Sequence, residues 1–160
     1  HYLQAKLTLM QVFLLLLFNT FNLSGSCEIE QIRSTFFSIE EESQVVNYIE
    51  LCNESDCQES QYYKAVAIMW KASFTYWPHQ KYAYFTEGRD MLEELIKTYP
   101  DDTELRFLRY IVQVNTPRFL GYSNDIENDL VFINTNLSKE DYSESHKELI
   151  LETIDFVNKK

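Results

Sequence analysis

Two arginines and a glutamine share one face of a predicted helix in the middle of the chain. Arg106, Arg109 and Gln113 lie at positions i, i+3 and i+7, which a helix brings to the same side. Two guanidinium groups on one face can bind a carboxylate or a phosphate through paired hydrogen bonds. Asn115 and Tyr122 follow closely in the chain. These five residues are therefore the candidate anion-binding site.

The same arginines also have a structural interpretation. They can pair with Glu104, with Glu93 or with an acid of the C-terminal helix, because structural ion pairs resemble functional ones in sequence. Gln113 and Asn115 can equally cap the turn at Pro117. The pattern favours structural pairing and leaves the ligand site as the alternative.

No other group of residues has the spacing of a catalytic or metal site. His79 and His146 have no Cys, Ser or carboxylate neighbour in a known catalytic order, so we expect both at the surface or in turns. The acidic run from Asp125 to Asp129 lacks the glycine of a calcium loop. A general base for the arginine face would have to be Glu104 or His79. We therefore expect no enzyme activity, no metal and no cofactor.

The N-terminal segment is typical of an export signal. Lys6 precedes an apolar run from Val12 to Phe18, and the small residues Ser24 and Ser26 stand three and one positions before Cys27. A basic residue, an apolar core and small residues before a cut site define a secretory signal peptide. The sequence therefore predicts cleavage before Cys27.

Cleavage there divides the chain into a signal peptide, residues 1–26, and a single domain, residues 27–160. A Cys as first mature residue resembles a bacterial lipoprotein, so Cys27 is a candidate for lipidation. The alternative is a retained membrane anchor, but polar residues interrupt the apolar segment, and a spanning helix needs about 20 predominantly apolar residues. We expect an exported protein that is periplasmic, membrane-anchored or secreted.

The two other cysteines are close in sequence. Cys52 and Cys57 can close a short loop, and an oxidising compartment permits such a bond. A metal site is less favoured because structural zinc takes four Cys or His ligands. Two unpaired thiols remain the other alternative. We predict a Cys52–Cys57 disulfide.

Charge and composition limit the class of protein and its partners. The formal net charge is −11, which argues against nonspecific binding to nucleic acid or to an anionic membrane face. Only three glycines and three prolines are present, too few for the many tight turns of a β-sandwich. Apolar residues recur instead with helical spacing. The pattern predicts an all-α stack of about six or seven helices.

Two features indicate how the helices pack. The segment from Gln58 to Trp77 carries two apolar stripes, so we expect it to be central and covered on both sides. Gly88 lies inside the next helix, where glycine costs about 1 kcal/mol relative to alanine. Close packing against the preceding helix would explain that glycine.

The hairpin from Tyr62 to Pro100 resembles part of a tetratricopeptide repeat. With Pro100 on the terminal proline of the repeat, Gly88 falls on its small position and Leu92 on its large apolar position. Five further positions hold residues that depart from the repeat pattern: Ala72, Thr75, Tyr76, His79 and Leu95. No second copy follows at a 34-residue period. Residues 84–122 also resemble small uncharacterised exported bacterial proteins, a resemblance that implies no activity.

Two functions are compatible with this sequence. The first is an exported, helical protein–protein interaction module without catalytic activity, which binds a peptide or a partner subunit in a groove between helices. The alternative is a small anionic-ligand-binding protein or enzyme that uses the face of Arg106, Arg109 and Gln113. We expect a protein or peptide partner, no nucleic acid, and membrane contact only through a lipid on Cys27.

Overall fold

The computed structural model describes residues 27–159, and this part of the chain is all-helical. Seven α-helices and two 3-10 helices follow one another, without a strand in the described part. The α-helices are α1 (Ile29–Phe36), α2 (Glu42–Glu54), α3 (Ser60–Phe74), α4 (Pro78–Thr98), α5 (Thr103–Asn115), α6 (Ile126–Asn136) and α7 (Glu144–Asn158). The 3-10 helices are Arg118–Leu120 and Leu137–Lys139.

The predicted all-α stack is therefore confirmed. The predicted signal peptide, residues 1–26, lies outside the described residues. Within residues 27–159, none of the helices is both long and apolar enough to cross a membrane.

Side chains at the helix starts define where several helices begin. The Asp102 carboxylate accepts a hydrogen bond from the Leu105 N–H at 2.9 Å, and the Ser143 hydroxyl accepts one from the His146 N–H. Such caps satisfy N–H groups that have no partner within the helix. Pro78 occupies the first position of α4, where its missing N–H costs nothing.

Helix α3 is the centre of the stack, as its two apolar stripes predict. It contacts α1, α2, α4 and α5, and its residues Tyr62, Tyr63 and Ala65 are fully buried. It ends at Phe74, earlier than the apolar pattern indicates. Trp70, near that end, is only partly buried because a groove opens beside it.

Gly88 lies where α4 crosses α3. A Cβ atom at this position would stand 2.8 Å from the Met69 backbone nitrogen and would also overlap the Ala65 carbonyl oxygen. Backbone atoms of a central helix cannot move aside easily. The close packing predicted from the sequence is therefore confirmed.

We expect Gly88→Ala to lower the free energy of unfolding by about 1–3 kcal/mol, because overpacking outweighs the gain in helix propensity. Glu87→Ala, on the exposed side of the same helix, is the control and should change stability by less than about 0.5 kcal/mol. Urea unfolding measures both. A Gly88→Ala protein more stable than the wild type would contradict this packing.

Candidate functional site

The arginine face of α5 is covered by α6 and by the loop before it. Arg109 is 4% exposed, and its Nε and Nη2 donate to the two carboxylate oxygens of Asp129 at 2.6 and 2.7 Å. Its Nη1 donates to Glu93 at 3.2 Å and lies 3.5 Å from an Asp125 carboxylate oxygen. Every nitrogen of this guanidinium thus has an acidic partner in the same chain.

Arg106 and Gln113 are engaged on the same face. Arg106 donates to Asp129 at 3.3 Å and, through Nε and Nη2, to the Pro100 carbonyl oxygen. The Gln113 side-chain oxygen accepts from the Asp125 N–H at 3.1 Å. The start of α6 is therefore held against α5 by side chains that the sequence singled out for a ligand.

The two remaining predicted site residues, Tyr122 and Asn115, have different hydrogen-bond partners. The Tyr122 hydroxyl donates to Glu93 at 2.5 Å, and burial together with this carboxylate raises the pKa of Tyr122 well above its usual range. Asn115 instead donates to the Ile111 carbonyl of its own helix at 2.8 Å. The structure brings the other four residues together through acids of the chain and leaves Asn115 outside.

We name the set Arg106, Arg109, Glu93, Asp125 and Asp129 the arginine cluster. Its three acids outnumber its two bases, so it holds no surplus positive charge for an external anion. Of the acids that the sequence offered as partners, Glu93 does contact Arg109, whereas the bidentate partner, Asp129 of α6, was not among them. In this arrangement the two arginines join α5 to its neighbours.

A second buried ionic cluster surrounds Glu104, which is 1% exposed. Its carboxylate accepts from Arg33 Nε and Nη2 at 2.8 and 2.7 Å and from the Tyr63 hydroxyl at 2.6 Å. The Nε2 atom of His146 lies 3.0 Å from the same carboxylate. These four residues, the Glu104 cluster, come from α1, α3, α5 and α7.

The sequence analysis missed this cluster. It offered Glu104 as one of three possible partners for the arginines of its own helix, whereas Glu104 lies in the core and bonds to Arg33. The expectation that His146 lies at the surface is wrong, since it is 2% exposed, while His79 is exposed as expected. One signal was present: Arg33 is the only base between residues 28 and 63 and stands within an apolar helical stripe.

The cluster keeps Glu104 ionised. Burial alone would raise the pKa of Glu104, but the hydrogen bonds from Arg33, the nearby His146 ring and the Tyr63 hydroxyl lower it to about 2. Burial and the adjacent carboxylate raise the pKa of Tyr63 well above its usual value. At neutral pH the cluster is a buried, hydrogen-bonded ion pair.

The cysteines pair differently from the prediction. Cys57 is bonded to Cys27, with their Cα atoms 4.8 Å apart, and Cys52 is a free, buried thiol whose pKa burial raises to about 11. The predicted Cys52–Cys57 bond is wrong, because Cys52 faces the core from the last turns of α2. Lipidation of Cys27 is incompatible with this bond, since one sulfur cannot form both linkages.

A large apolar groove lies next to the Glu104 cluster, since the ring of Phe36, which lines the groove, has its centroid 5.1 Å from that of Tyr63. Its volume is about 1130 Å³, and it is bordered by α3, α4, α5, α7 and the end of α1. At its mouth Phe119 is 86% exposed and Tyr82 is 60% exposed. The described residues that line it are Phe36, Phe37, Val66, Met69, Trp70, Ala72, Ser73, Pro78, Lys81, Tyr82, Phe85, Ile111, Val112, Asn115, Thr116, Pro117, Phe119, Leu120, Leu149, Glu152, Thr153, Phe156 and Val157.

Comparisons of the chain with protein-family models, with curated proteins and with solved structures found no match. The tetratricopeptide resemblance of the α3–α4 hairpin therefore stays a prediction. Between residues 27 and 159, no three His, Cys, Asp or Glu side chains are grouped so that they could hold a metal ion.

Arg109→Gln should lower the free energy of unfolding by about 3–5 kcal/mol, because it leaves the buried Asp129 carboxylate without its bidentate partner. Arg106→Gln should cost less, since Arg106 is partly exposed and makes a longer contact. The exposed Arg118→Gln is the control. Denaturant unfolding compares the three variants. Wild-type stability in Arg109→Gln would show that Asp129 does not depend on this arginine.

Stability should fall as the pH is lowered from about 4.5 towards 2. The pKa of Glu104 is lower in the folded protein than the value of about 4.3 in an unfolded chain, so its contribution is complete above that value. Below that value the unfolded chain binds a proton that the folded protein takes up only near pH 2, so the contribution is lost between the two pKa values. Glu104→Gln should flatten the curve of unfolding free energy against pH, whereas the exposed Glu94→Gln should leave its shape unchanged.

The direct check is a carbon NMR titration of the Glu104 carboxyl in the wild-type protein, which needs no variant to fold. A measured pKa of 4 or above would contradict the account of this cluster.

Proposed function

We propose that this protein is an exported, helical interaction module that binds an apolar segment of another protein in the groove. The observation that supports this most is the groove itself, with exposed rings of Tyr82 and Phe119 at its mouth. Apolar surface removed from water contributes about 25 cal/mol per Å², so a partner that covers it gains binding energy. Large exposed apolar patches commonly mark interaction sites.

The groove contrasts with the charge of the rest of the chain. The net charge is −11, but the described lining residues include only two charged side chains, Lys81 and Glu152. An acidic surface keeps a protein soluble and discourages nonspecific association. An apolar groove on such a surface favours selective binding of one partner segment.

The placement of the buried ionisable groups supports binding in preference to catalysis. Glu104 is paired with Arg33 and Arg109 with Asp129 inside the stack, and none of these four side chains lines the groove. The polar groups along the groove are neutral side chains apart from Lys81 and Glu152. We therefore propose a binding protein without an enzymatic activity of its own.

Export is the second part of the proposal. Disulfides form and persist in oxidising compartments, so the Cys27–Cys57 bond supports a location outside the cytoplasm. The predicted cleavage site immediately precedes Cys27, and cleavage there would leave both cysteines in the mature chain.

Replacing Tyr82 and Phe119 together with glutamate should lower the affinity for the apolar dye anilinonaphthalene sulfonate by about tenfold or more, because two rings at the mouth are lost. The matched control replaces Val131 and Leu151, which are exposed but do not line the groove, with glutamate. Both variants add the same charge, so fluorescence titration isolates the position of the change.

A photoreactive amino acid at position 119 tests whether the groove serves protein binding. We expect one discrete cross-linked protein from position 119, its loss on Tyr82→Glu, and no such product from position 131. Equal dye binding by the two double variants, or equal cross-linking from both positions, would contradict the proposed site.

A further inference from the structure

We infer that the segment that fills this groove is an amphipathic α-helix with acidic residues along one flank and basic residues along the other. The inference rests on the proposed function and concerns the chemistry of the partner. Its first support is that every wall of the groove is a helix or a turn. Helices use their backbone N–H and C=O groups internally, so the walls offer no strand edge to pair with an incoming peptide.

Three polar side chains in the groove also bond to the backbone of the protein itself. Asn115 donates to Ile111 O at 2.8 Å, and Thr116 donates to Val112 O at 2.7 Å. On the facing helix, Thr153 donates to its own backbone at 2.7 Å, with Leu149 O as acceptor. Each of these three side chains thus donates a hydrogen bond to the backbone carbonyl four residues before it.

An extended peptide in such a groove would bury backbone groups without partners, which is strongly unfavourable. An α-helix satisfies its backbone internally and can present only apolar side chains to the groove. The lining residues of α7 run from Leu149 to Val157, about 12 Å of helix axis. The groove thus matches a contact of about two helical turns, with large apolar side chains at i, i+3, i+4 and i+7.

The two charged lining residues give the partner an orientation. Lys81 lies in the first turns of α4, and Glu152 lies on α7. The helix dipoles act in the same sense: α4 begins at Pro78 in the groove, and α7 ends one residue after the lining residue Val157. A helix N-terminus favours negative charge and a C-terminus favours positive charge. The acidic flank of the partner should therefore face α4 and its basic flank α7.

The test uses synthetic peptides of about 18 residues, long enough to form a helix on binding. The probe has a leucine stripe with glutamates on one flank and lysines on the other. Its matched control replaces two central leucines with prolines, which prevents the helix. Binding is measured by fluorescence anisotropy with the chain that begins at Cys27. The helical probe should bind at least tenfold more tightly than the proline-containing control, and it should not bind to the Tyr82→Glu, Phe119→Glu variant.

The orientation of the charged flanks is tested with substitutions of exposed side chains. Lys81→Glu and Glu152→Lys should each weaken binding of the probe about two- to fivefold, the range of exposed charge pairs. The double exchange should prefer a peptide whose glutamate and lysine flanks are interchanged. Lys97→Glu, at the far end of α4, is the control and should have no effect. An affinity for the probe that is the same in all these variants would contradict the assignment of the acidic flank to α4 and the basic flank to α7.

The outcomes separate this inference from the proposed function. Equal binding of the helical probe and the proline-containing peptide would contradict the inference that the bound segment is a helix. The groove would then remain the proposed protein-binding site. Displacement of the dye by a fatty acid but not by the helical probe would assign the groove to a hydrocarbon chain and overturn the inference. Failure of both the probe and the dye to bind would reject the groove as a binding site altogether.

Discussion

The buried charge of Glu104 imposes the constraint on which the stack depends. A carboxylate in the core must be paired and hydrogen-bonded: Arg33 of α1 carries the opposite charge, Tyr63 of α3 donates a hydrogen bond, and the His146 ring of α7 lies 3.0 Å away. Four helices therefore have to meet around one side chain of α5. Removing one partner of such a pair is costly because the other charge stays buried. The interaction fixes the relative positions of helices far apart in sequence, which apolar contacts alone define less strictly.

The groove follows from the same arrangement. In each of these four helices the cluster residue precedes the lining residues: Arg33 precedes Phe36, and His146 precedes Leu149. The helices are thus joined at one end by the Glu104 cluster and bound the groove towards their C-terminal ends. The arginine cluster joins other helices, since Arg109 of α5 bonds to Asp129 of α6 and to Glu93 of α4. None of the charged residues of either cluster is among the described residues that line the groove.

Sequence periodicity was sufficient for the helices, the central position of α3 and the role of Gly88, because these depend on local spacing and on one steric contact. It was insufficient for the clusters. Arg33 and Glu104 are 71 residues apart, and a helix pattern does not tell which distant residue neutralises a charge. The cysteine pairing failed for the same reason, since Cys27 is near Cys57 only in space. The groove was invisible because its residues have the same apolar spacing as the core.

The most direct test of this account is a double-mutant cycle between Arg33 and Glu104. Arg33→Met leaves the buried Glu104 carboxylate without its cation, and Glu104→Leu leaves the buried Arg33 with only the exposed Glu30 as an acidic partner. The double variant removes both buried charges, so it should be far less destabilised than the sum of the two single variants. We expect a coupling energy of about 2–3 kcal/mol from denaturant unfolding at neutral pH. If the stability losses of the two single variants add up to that of the double variant within about 0.5 kcal/mol, the claim that this ion pair organises the fold is contradicted.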